Sequence, residues 1–241
     1  MKTIYQRLQI DNAAREKAPL NLARNEGEAT IYLYDIIDAD WGVGAREIVA
    51  AINSVKDAGT LNLRINSPGG DVFEARAIVE AIRRFDGKTV AHIDSLAASA
   101  ATSIALAADE VVIAKGAMFM IHNASGMVWG DKRDMRETAD LLEKVEIDIV
   151  DGYTAKTGKT APEIVAMMDA ETWMTADEAI ANGFCDRMAD TAKAKNTWNL
   201  SAFSNVPDSF KKPEEEPAPE PTPEPSMTTA NANRLRLLTI L

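Results

Sequence analysis

The chain has 241 residues, of which 46% are hydrophobic and 26% charged, the balance of a soluble globular protein. Its formal net charge of −11 argues against nucleic acid as a partner, because an acidic surface repels phosphate. The most apolar stretch, Leu96–Ala108, is too short to cross a bilayer, and the first residues lack the apolar core of a signal peptide. The single cysteine, Cys185, excludes an intramolecular disulfide. We therefore expect a cytoplasmic protein without a membrane segment.

Strands and helices are predicted to alternate along most of the chain, after a polar N-terminal arm at residues 1–27. The predicted strands, rich in β-branched residues or alternating in polarity, are 29–34, 61–65, 89–93, 111–114 and 118–121. The predicted helices, several with apolar residues at helical spacing, are 44–57, 71–85, 97–107, 131–157, 161–168 and 175–182. This alternation favours an α/β fold with a mainly parallel sheet.

The composition changes after about residue 190. Residues 191–212 are interpreted as a polar connector, and residues 213–226 as an acidic linker of proline and glutamate that cannot form a core. The last segment, 227–241, ends in a short apolar stretch, Arg234–Leu241. Two interpretations of this segment stay open: a docking or scaffold-like peptide, and a disordered end.

Two small-residue segments in the middle of the chain are candidates for chemistry. The turn Asn66–Gly70 ends a predicted strand, and its two glycines allow backbone N–H groups to approach a ligand, as an oxyanion hole requires. Ser99 lies among alanines where a helix can begin with free N–H groups. Taken separately, each segment also fits a purely structural role, as a common turn or as a closely packed helix.

One histidine and two acids complete a candidate catalytic set. His122 ends an apolar strand and precedes polar residues, where a neutral imidazole can accept a hydroxyl proton, whereas His92 lies within its own strand and fits a structural role. Asp169 and Glu171 are both available to orient the imidazole, and their spacing does not choose between them. A glycine turn, a serine, a histidine and an acid in this order indicate a serine hydrolase.

Four segments of the chain resemble the proteolytic subunit of the Clp protease family and, more closely, its phage relatives, the head-maturation (prohead) proteases. These segments are INSPGGDVFEA, SLAASAATSIALAADEVV, AMFMIHN and ETWMTADEAIANGFCD, and the resemblance covers about residues 29–188. It implies that residues 28–190 form a crotonase-like α/β spiral of repeated β-β-α units. It also implies that the helix 131–157 is a protruding handle that pairs oligomeric rings.

The resemblance also implies a role for each candidate residue. Ser99 would be the nucleophile and His122 its base, and the family's aspartate falls on Glu171, with Asp169 as the alternative acid. The oxyanion hole would consist of the N–H groups of Gly70 and Ala100.

The pattern departs from the family at one further position, because Ser95 stands where a glycine is usual. No metal or organic cofactor is expected. An ATP-binding site would belong to a partner, since the chain has no Gly-x-x-x-x-Gly-Lys loop.

The resulting hypothesis is a serine endopeptidase that forms rings and cleaves scaffold, portal or capsid proteins within an assembling phage procapsid. The alternative is a housekeeping Clp subunit that works with an ATPase unfoldase. Three further readings stay open: a crotonase-type acyl-CoA enzyme, a serine–lysine peptidase with Lys115 as base, and an inactive scaffold homologue. Cys185 as a nucleophile is disfavoured beside apolar Phe184.

Overall fold

One eight-stranded sheet organises the protein. The structure is a computed structural model and describes residues 4–15, 20–189 and 198–210. The strands are β1 (Asn21–Asn25), β2 (Glu28–Leu33), β3 (Thr60–Ser67), β4 (Lys88–Ala98), β5 (Glu110–Ile113), β6 (Met118–Ile121), β7 (Thr172–Thr175) and β8 (Arg187–Met188). The helices are α1 (Ile4–Asp11), α2 (Ala45–Ser54), α3 (Val72–Arg83), α4 (Ala100–Ala105), α5 (Lys132–Thr157), α6 (Ala161–Asp169) and α7 (Ala176–Ala181), and a short 3-10 turn covers Asp208–Phe210.

The centre of the sheet is parallel. The strand order is β1-β2-β3-β4-β5-β8, and β6 pairs with both β4 and β7. The pairs β2–β3, β3–β4 and β4–β5 are parallel, and α2, α3 and α4 respectively connect their strands. Only β1–β2 and β6–β7 are antiparallel within the described residues. This topology confirms the predicted α/β class with a mainly parallel sheet.

Strand β4 is longer than the sequence predicted, and this corrects the predicted helix 97–107. The strand continues to Ala98, and α4 spans only six residues. The reason is a second partner: Leu96 pairs with Met118 and Ala98 with Met120 of β6. Sheet pairing and burial here override the helix preference of alanine. As a result, the chain turns from strand to helix at Ser99.

The predicted N-terminal arm contains regular structure. Its first described residues form α1, and Asn21–Asn25 pair along their whole length with β2 as an antiparallel edge strand. The sequence also missed the short strands β7 and β8, each of which extends the sheet by backbone pairing with little sequence signal of its own.

Two apolar cores lie on opposite faces of the sheet. Alternate residues of β4 point to opposite sides, so Ile93 and Ala97 join the larger core under the helices, whereas Leu96 and Ala98 join a smaller one. The smaller core is closed by α1 and by residues 198–210, which we call the strap. The buried side chains of the strap are Trp198, Leu200, Ala202, Phe203, Val206 and Phe210.

The strap therefore corrects part of the predicted polar connector 191–212, because residues 198–210 contribute to a core. The predicted linker 213–226 and the segment 227–241 lie outside the described residues.

Helix α5 extends beyond the body of the protein. Asp131 caps its start in a capping box with Asp134, and Gly158 ends it in the left-handed conformation. None of the side chains from residue 132 to 144 is buried, and the first buried one is Val145. The first half of α5 thus protrudes, as the resemblance implied. No helix in the described ranges has the length and apolar character that a membrane span needs.

Candidate active site

Ser99 occupies a strained elbow between β4 and α4. Its backbone has φ 54° and ψ −128°, a positive φ that residues other than glycine rarely adopt. The Ser99 N–H donates to the carbonyl of Met120 at 3.0 Å, which ties the elbow to β6. Strain of this kind persists only where the surrounding structure holds it, and it is concentrated at functional sites. The elbow places the Ser99 side chain in a cavity.

His122 lies beside Ser99 because β4 and β6 are parallel neighbours. Parallel strands end at the same edge of a sheet, and His122 is the first residue after β6. The distance between His122 Nε2 and Ser99 Oγ is 2.7 Å, a hydrogen bond of ordinary length. The structure thus brings the predicted serine and histidine into direct contact.

Two opposing effects act on the His122 imidazole. Burial disfavours the charged ring and lowers the pKa of His122 below its usual 6.5, and this effect exceeds that of the negative charge of Glu171, which raises the pKa. The ring of Phe203, from the strap, packs edge-on against the imidazole with 5.5 Å between the centroids. The imidazole is therefore neutral near pH 7, the state in which it can accept a proton from Ser99.

The Glu171 carboxylate is held by the strap. Oε1 accepts hydrogen bonds from the N–H of Ser204 (2.8 Å), the N–H of Asn205 (2.6 Å) and Trp173 Nε1 (3.2 Å). Oε2 accepts from the Ser204 N–H at 3.0 Å. The Glu171 backbone has a positive φ of 47°. Within the described part of the chain, no hydrogen bond joins this carboxylate to His122.

Asp169, the alternative acid, has a different partner. Its Oδ1 accepts a hydrogen bond from Asn123 Nδ2 at 2.7 Å. Its charge is not among the influences on the His122 pKa, whereas that of Glu171 is. Neither acid is hydrogen bonded to the imidazole, and Glu171 is the one whose charge reaches it.

The two predicted oxyanion-hole residues line the same cavity as Ser99 and His122. Gly70 forms a β-bridge with Ile37 in which the Gly69 carbonyl accepts (2.9 Å) and the Asp71 N–H donates (2.8 Å). The Gly70 N–H lies outside this bridge. Ala100 is the first residue of α4, so its N–H has no partner within the helix. The Gly70 N–H is therefore not used in the bridge with Ile37, and the Ala100 N–H is not used in the hydrogen bonds of α4.

The cavity that contains these residues has a volume of about 1050 Å³. Side chains of α3, α5, α1 and the strap line it. The apolar lining residues include Val72, Val79, Leu142, Val145, Ile149, Ile4, Leu8 and Phe203. A cavity of this size and lining accommodates the side chains of a peptide.

The residues that the alternative hypotheses invoke, Lys115 and Cys185, do not line this cavity. Lys115 is in the turn between β5 and β6 and does not line the cavity. Cys185 is buried, and burial, reinforced by the charge of Asp186, raises the pKa of its thiol to about 12, so it is not a thiolate near neutrality. His92 Nε2 hydrogen bonds Asn62 Oδ1 at 2.9 Å. Ser95, which replaces the usual glycine, is buried in β4.

Sequence reasoning missed the strap, which contributes Phe203, Ser204 and Asn205 to the site. One signal was available: Trp198, Leu200 and Ala202 alternate with polar residues, a period of two that is typical of a chain packed on one side. In the described residues, no group of three or more histidine, cysteine or acidic side chains is placed to hold a metal ion.

Comparison with known proteins identifies the family. The family model described as Clp protease matches residues 20–192. A Clp protease proteolytic subunit 1 of Protochlamydia amoebophila is 30% identical over 131 residues, covering 53% of this chain and 64% of its own length. The subunit of Streptococcus suis is 30% identical over 142 residues, covering 55% and 70%.

The fold is shared with a solved structure, a ClpP1 variant from Listeria monocytogenes. It superposes with a TM-score of 0.61 at 20% identity, over 67% of this chain and 91% of that one. The first relative above is therefore matched over slightly less than two thirds of its length, while the compared structure is matched almost completely. The chain belongs to the Clp protease family, whose members are serine endopeptidases.

Proposed function

We propose that this protein hydrolyses peptide bonds through an acyl-enzyme formed on Ser99. The observation that carries the proposal is the 2.7 Å hydrogen bond between Ser99 Oγ and His122 Nε2 at a strained elbow that opens into an apolar cavity. A nucleophile bonded to a neutral base, with N–H groups beside it, is the arrangement that acyl transfer requires.

The mechanism follows from these positions. Ser99 Oγ attacks the carbonyl carbon of the substrate while His122 Nε2 takes the hydroxyl proton. The N–H groups of Gly70 and Ala100 stabilise the negative oxygen of the tetrahedral intermediate, a contribution of roughly 2.7–4 kcal/mol for each donor. His122 then gives the proton to the leaving amine. A water molecule, deprotonated by the same imidazole, hydrolyses the acyl-enzyme.

Glu171 is the proposed acid of the triad. Its negative charge already acts on His122, and it stabilises the imidazolium that forms when Ser99 loses its proton. The resemblance implies an aspartate at this position, and the longer Glu171 side chain starts from a backbone with positive φ. Asp169 stays the alternative acid.

We propose that subunits assemble into rings that pair through α5. The protruding half of this helix carries two large apolar side chains, Met135 and Leu141, which are 53% and 50% exposed. Ile147, further along the helix, is 55% exposed. A protruding helix with apolar residues on its surface is suited to pack against a second copy. Light scattering of the purified chain tests assembly, and a monomer at micromolar concentration would contradict it.

Within the family, we propose the role of a phage head-maturation protease that cleaves scaffold, portal or capsid proteins in the host cytoplasm. The support is the resemblance of the four segments to the phage members, as inferred from the sequence, and the acidic, proline-rich stretch 213–226. The alternative is a proteolytic subunit that works with an ATPase partner, and the matched relatives are named as subunits of an ATP-dependent protease. Cleavage of a co-expressed capsid or scaffold protein without an ATPase supports the first role. Cleavage only with a Clp ATPase supports the second.

A fluorophosphonate probe tests the chemistry directly. We expect it to label Ser99, and Ser99→Ala to lose both labelling and peptide cleavage while the oligomeric state is retained. Labelling at another residue would move the nucleophile. Residual cleavage by Ser99→Ala would indicate a second site, and absence of labelling and cleavage in the unmodified protein would favour the inactive homologue.

A further inference from the structure

The strap brings a second chain segment into the proposed catalytic site. Ser204 and Asn205 donate three hydrogen bonds to Glu171 through their backbone N–H groups. The preceding residue, Phe203, packs edge-on against both His122 (5.5 Å) and Trp173 (5.6 Å), and Trp173 itself donates to Glu171. Three consecutive strap residues thus contact the proposed catalytic residues and the neighbouring Trp173: Phe203 contacts His122 and Trp173, and Ser204 and Asn205 contact Glu171.

The strap is firmly built into the fold. Trp198 is fully buried, and its indole N–H donates to Asn66 Oδ1 at 3.0 Å. Asn12, just after α1, exchanges two hydrogen bonds with the backbone of Asn199, at 2.9 and 3.0 Å. Asn205 Nδ2 also donates to the carbonyl of Ala170, at 2.8 Å. These hydrogen bonds and the buried indole indicate that the strap is a fixed part of the fold rather than a mobile loop over the site.

The strap lies outside the part of the chain that matches the family. The family match ends at residue 192, six residues before the strap begins. The resemblance implies an aspartate at the position of the acid, and this chain has Glu171 there. A longer side chain has one more rotatable bond, and therefore needs additional contacts to stay in one orientation.

We propose that the strap is a positioning element for the triad: Ser204 and Asn205 hold the Glu171 carboxylate, and Phe203 holds the His122 ring. The inference rests on the proposed peptidase function and adds a structural reason for the glutamate. Among the residues that the structure describes, Oε1 accepts three hydrogen bonds and Oε2 accepts one, so Oε2 has more lone-pair capacity for the imidazole N–H.

A proline substitution in the full chain tests this inference. Ser204→Pro removes the N–H that contacts both carboxylate oxygens, and Ser204 is not among the described residues with positive φ, a conformation that proline cannot adopt. Ser204→Ala is the matched control, since it keeps the N–H and its side chain is exposed. With a fluorogenic peptide we expect Ser204→Pro to lower kcat about tenfold with little change in KM, and Ser204→Ala to stay within about twofold.

Measuring Ser204→Pro and Ser204→Ala in a Glu171→Gln background separates a positioning role for the strap from a general disturbance of the fold. If the strap acts through Glu171, Ser204→Pro adds less than about twofold to the loss caused by Glu171→Gln. Equal losses in both backgrounds, or equal activities of Ser204→Pro and Ser204→Ala, would overturn the strap proposal and leave the peptidase function standing. Absence of Ser99 labelling in the unmodified protein would overturn both.

A second pair of variants decides the matter if Ser204→Pro does not fold. Phe203→Leu removes the ring that shields His122, whereas Leu200→Val trims a buried strap residue away from the site. Burial lowers the pKa of His122, so we expect Phe203→Leu to move the acidic limb of the kcat/KM profile upward, toward pH 6.5. Leu200→Val should leave that limb in place. The same shift in both variants, or in neither, would contradict positioning by Phe203.

Discussion

Gly69 packs closely against the side chain of Ser99 and the backbone on either side of it, at Ala98 and Ala100. A Cβ built at Gly69 would lie 2.7 Å from Ser99 Cβ and 2.6 Å from the carbonyl oxygen of Ala98. The φ of Gly69 is +91°, a conformation that L side chains rarely adopt. The glycine turn after β3 thus supports the nucleophile elbow by close backbone contact, in addition to its proposed role in the oxyanion hole.

Gly69→Ala should therefore disable the enzyme with limited effect on the rest of the fold. The added methyl displaces Ser99 or the turn, and a misplacement of about 1 Å costs on the order of 100-fold in rate. Gly59→Ala is the control, because its Cβ would meet its nearest neighbour, the carbonyl of Gly27, at an ordinary 3.7 Å. The measurements are fluorophosphonate labelling and peptide cleavage, with circular dichroism as a check on folding. Equal activity of the two variants would contradict close packing at the elbow.

The pH dependence of kcat/KM should reflect the buried environment of His122. The base must be neutral, and burial lowers its pKa, so activity should fall on acidification with a midpoint below pH 6.5. The negative charge of Glu171 raises that pKa, so Glu171→Gln should move the midpoint further down. Asp169→Asn should not move it. A midpoint above 6.5, or an upward shift in Glu171→Gln, would contradict this account.

The same two variants should differ in rate. Glu171→Gln removes the charge that stabilises the imidazolium, and comparable changes in serine proteases lower kcat by up to about 10⁴-fold. Asp169→Asn loses only a carboxylate that accepts from Asn123, so we expect less than about a tenfold effect. Steady-state assays at the pH optimum of each variant give the ranking. The reverse order would assign the acid to Asp169.

Strand and helix alternation predicted the class of fold, because it depends on local features of the chain. The order of a glycine turn, a serine, a histidine and an acid, together with the family resemblance, led to the hypothesis that Ser99 and His122 form a pair, and the structure places these two residues in contact. The extension of β4 to Ala98 was not predictable from alanines alone, because it depends on pairing with β6. The contacts of Glu171 with the strap could not be predicted either, because they also depend on tertiary structure. Ser204 and Asn205 contact it through backbone N–H groups, which carry no residue signature, and they lie 33 and 34 positions away.

Thr102 connects the nucleophile elbow to the long helix α5. Its hydroxyl donates to the carbonyl of Ser99 at 2.5 Å and shares a hydrogen bond of 2.6 Å with the buried hydroxyl of Tyr153. Burial raises the pKa of Tyr153 to about 12, so its hydroxyl stays protonated. The Thr102 side chain thereby connects the elbow at Ser99 to Tyr153 of the proposed ring-pairing helix α5.

Thr102→Val should lower both stability and activity, since it keeps the shape but removes the hydroxyl that both partners use. Leaving buried polar groups unpaired costs about 1–3 kcal/mol, which urea denaturation can measure. Tyr153→Phe is the comparison variant: it keeps the Thr102 bond to Ser99, so we expect kcat to stay within about threefold of the unmodified protein. Thr102→Val should lose more, because the Ser99 carbonyl loses its bond from the hydroxyl and keeps the one from the Thr102 N–H, at 2.9 Å. If Tyr153→Phe lost as much activity as Thr102→Val, the contact with α5 rather than the bond to Ser99 would hold the elbow.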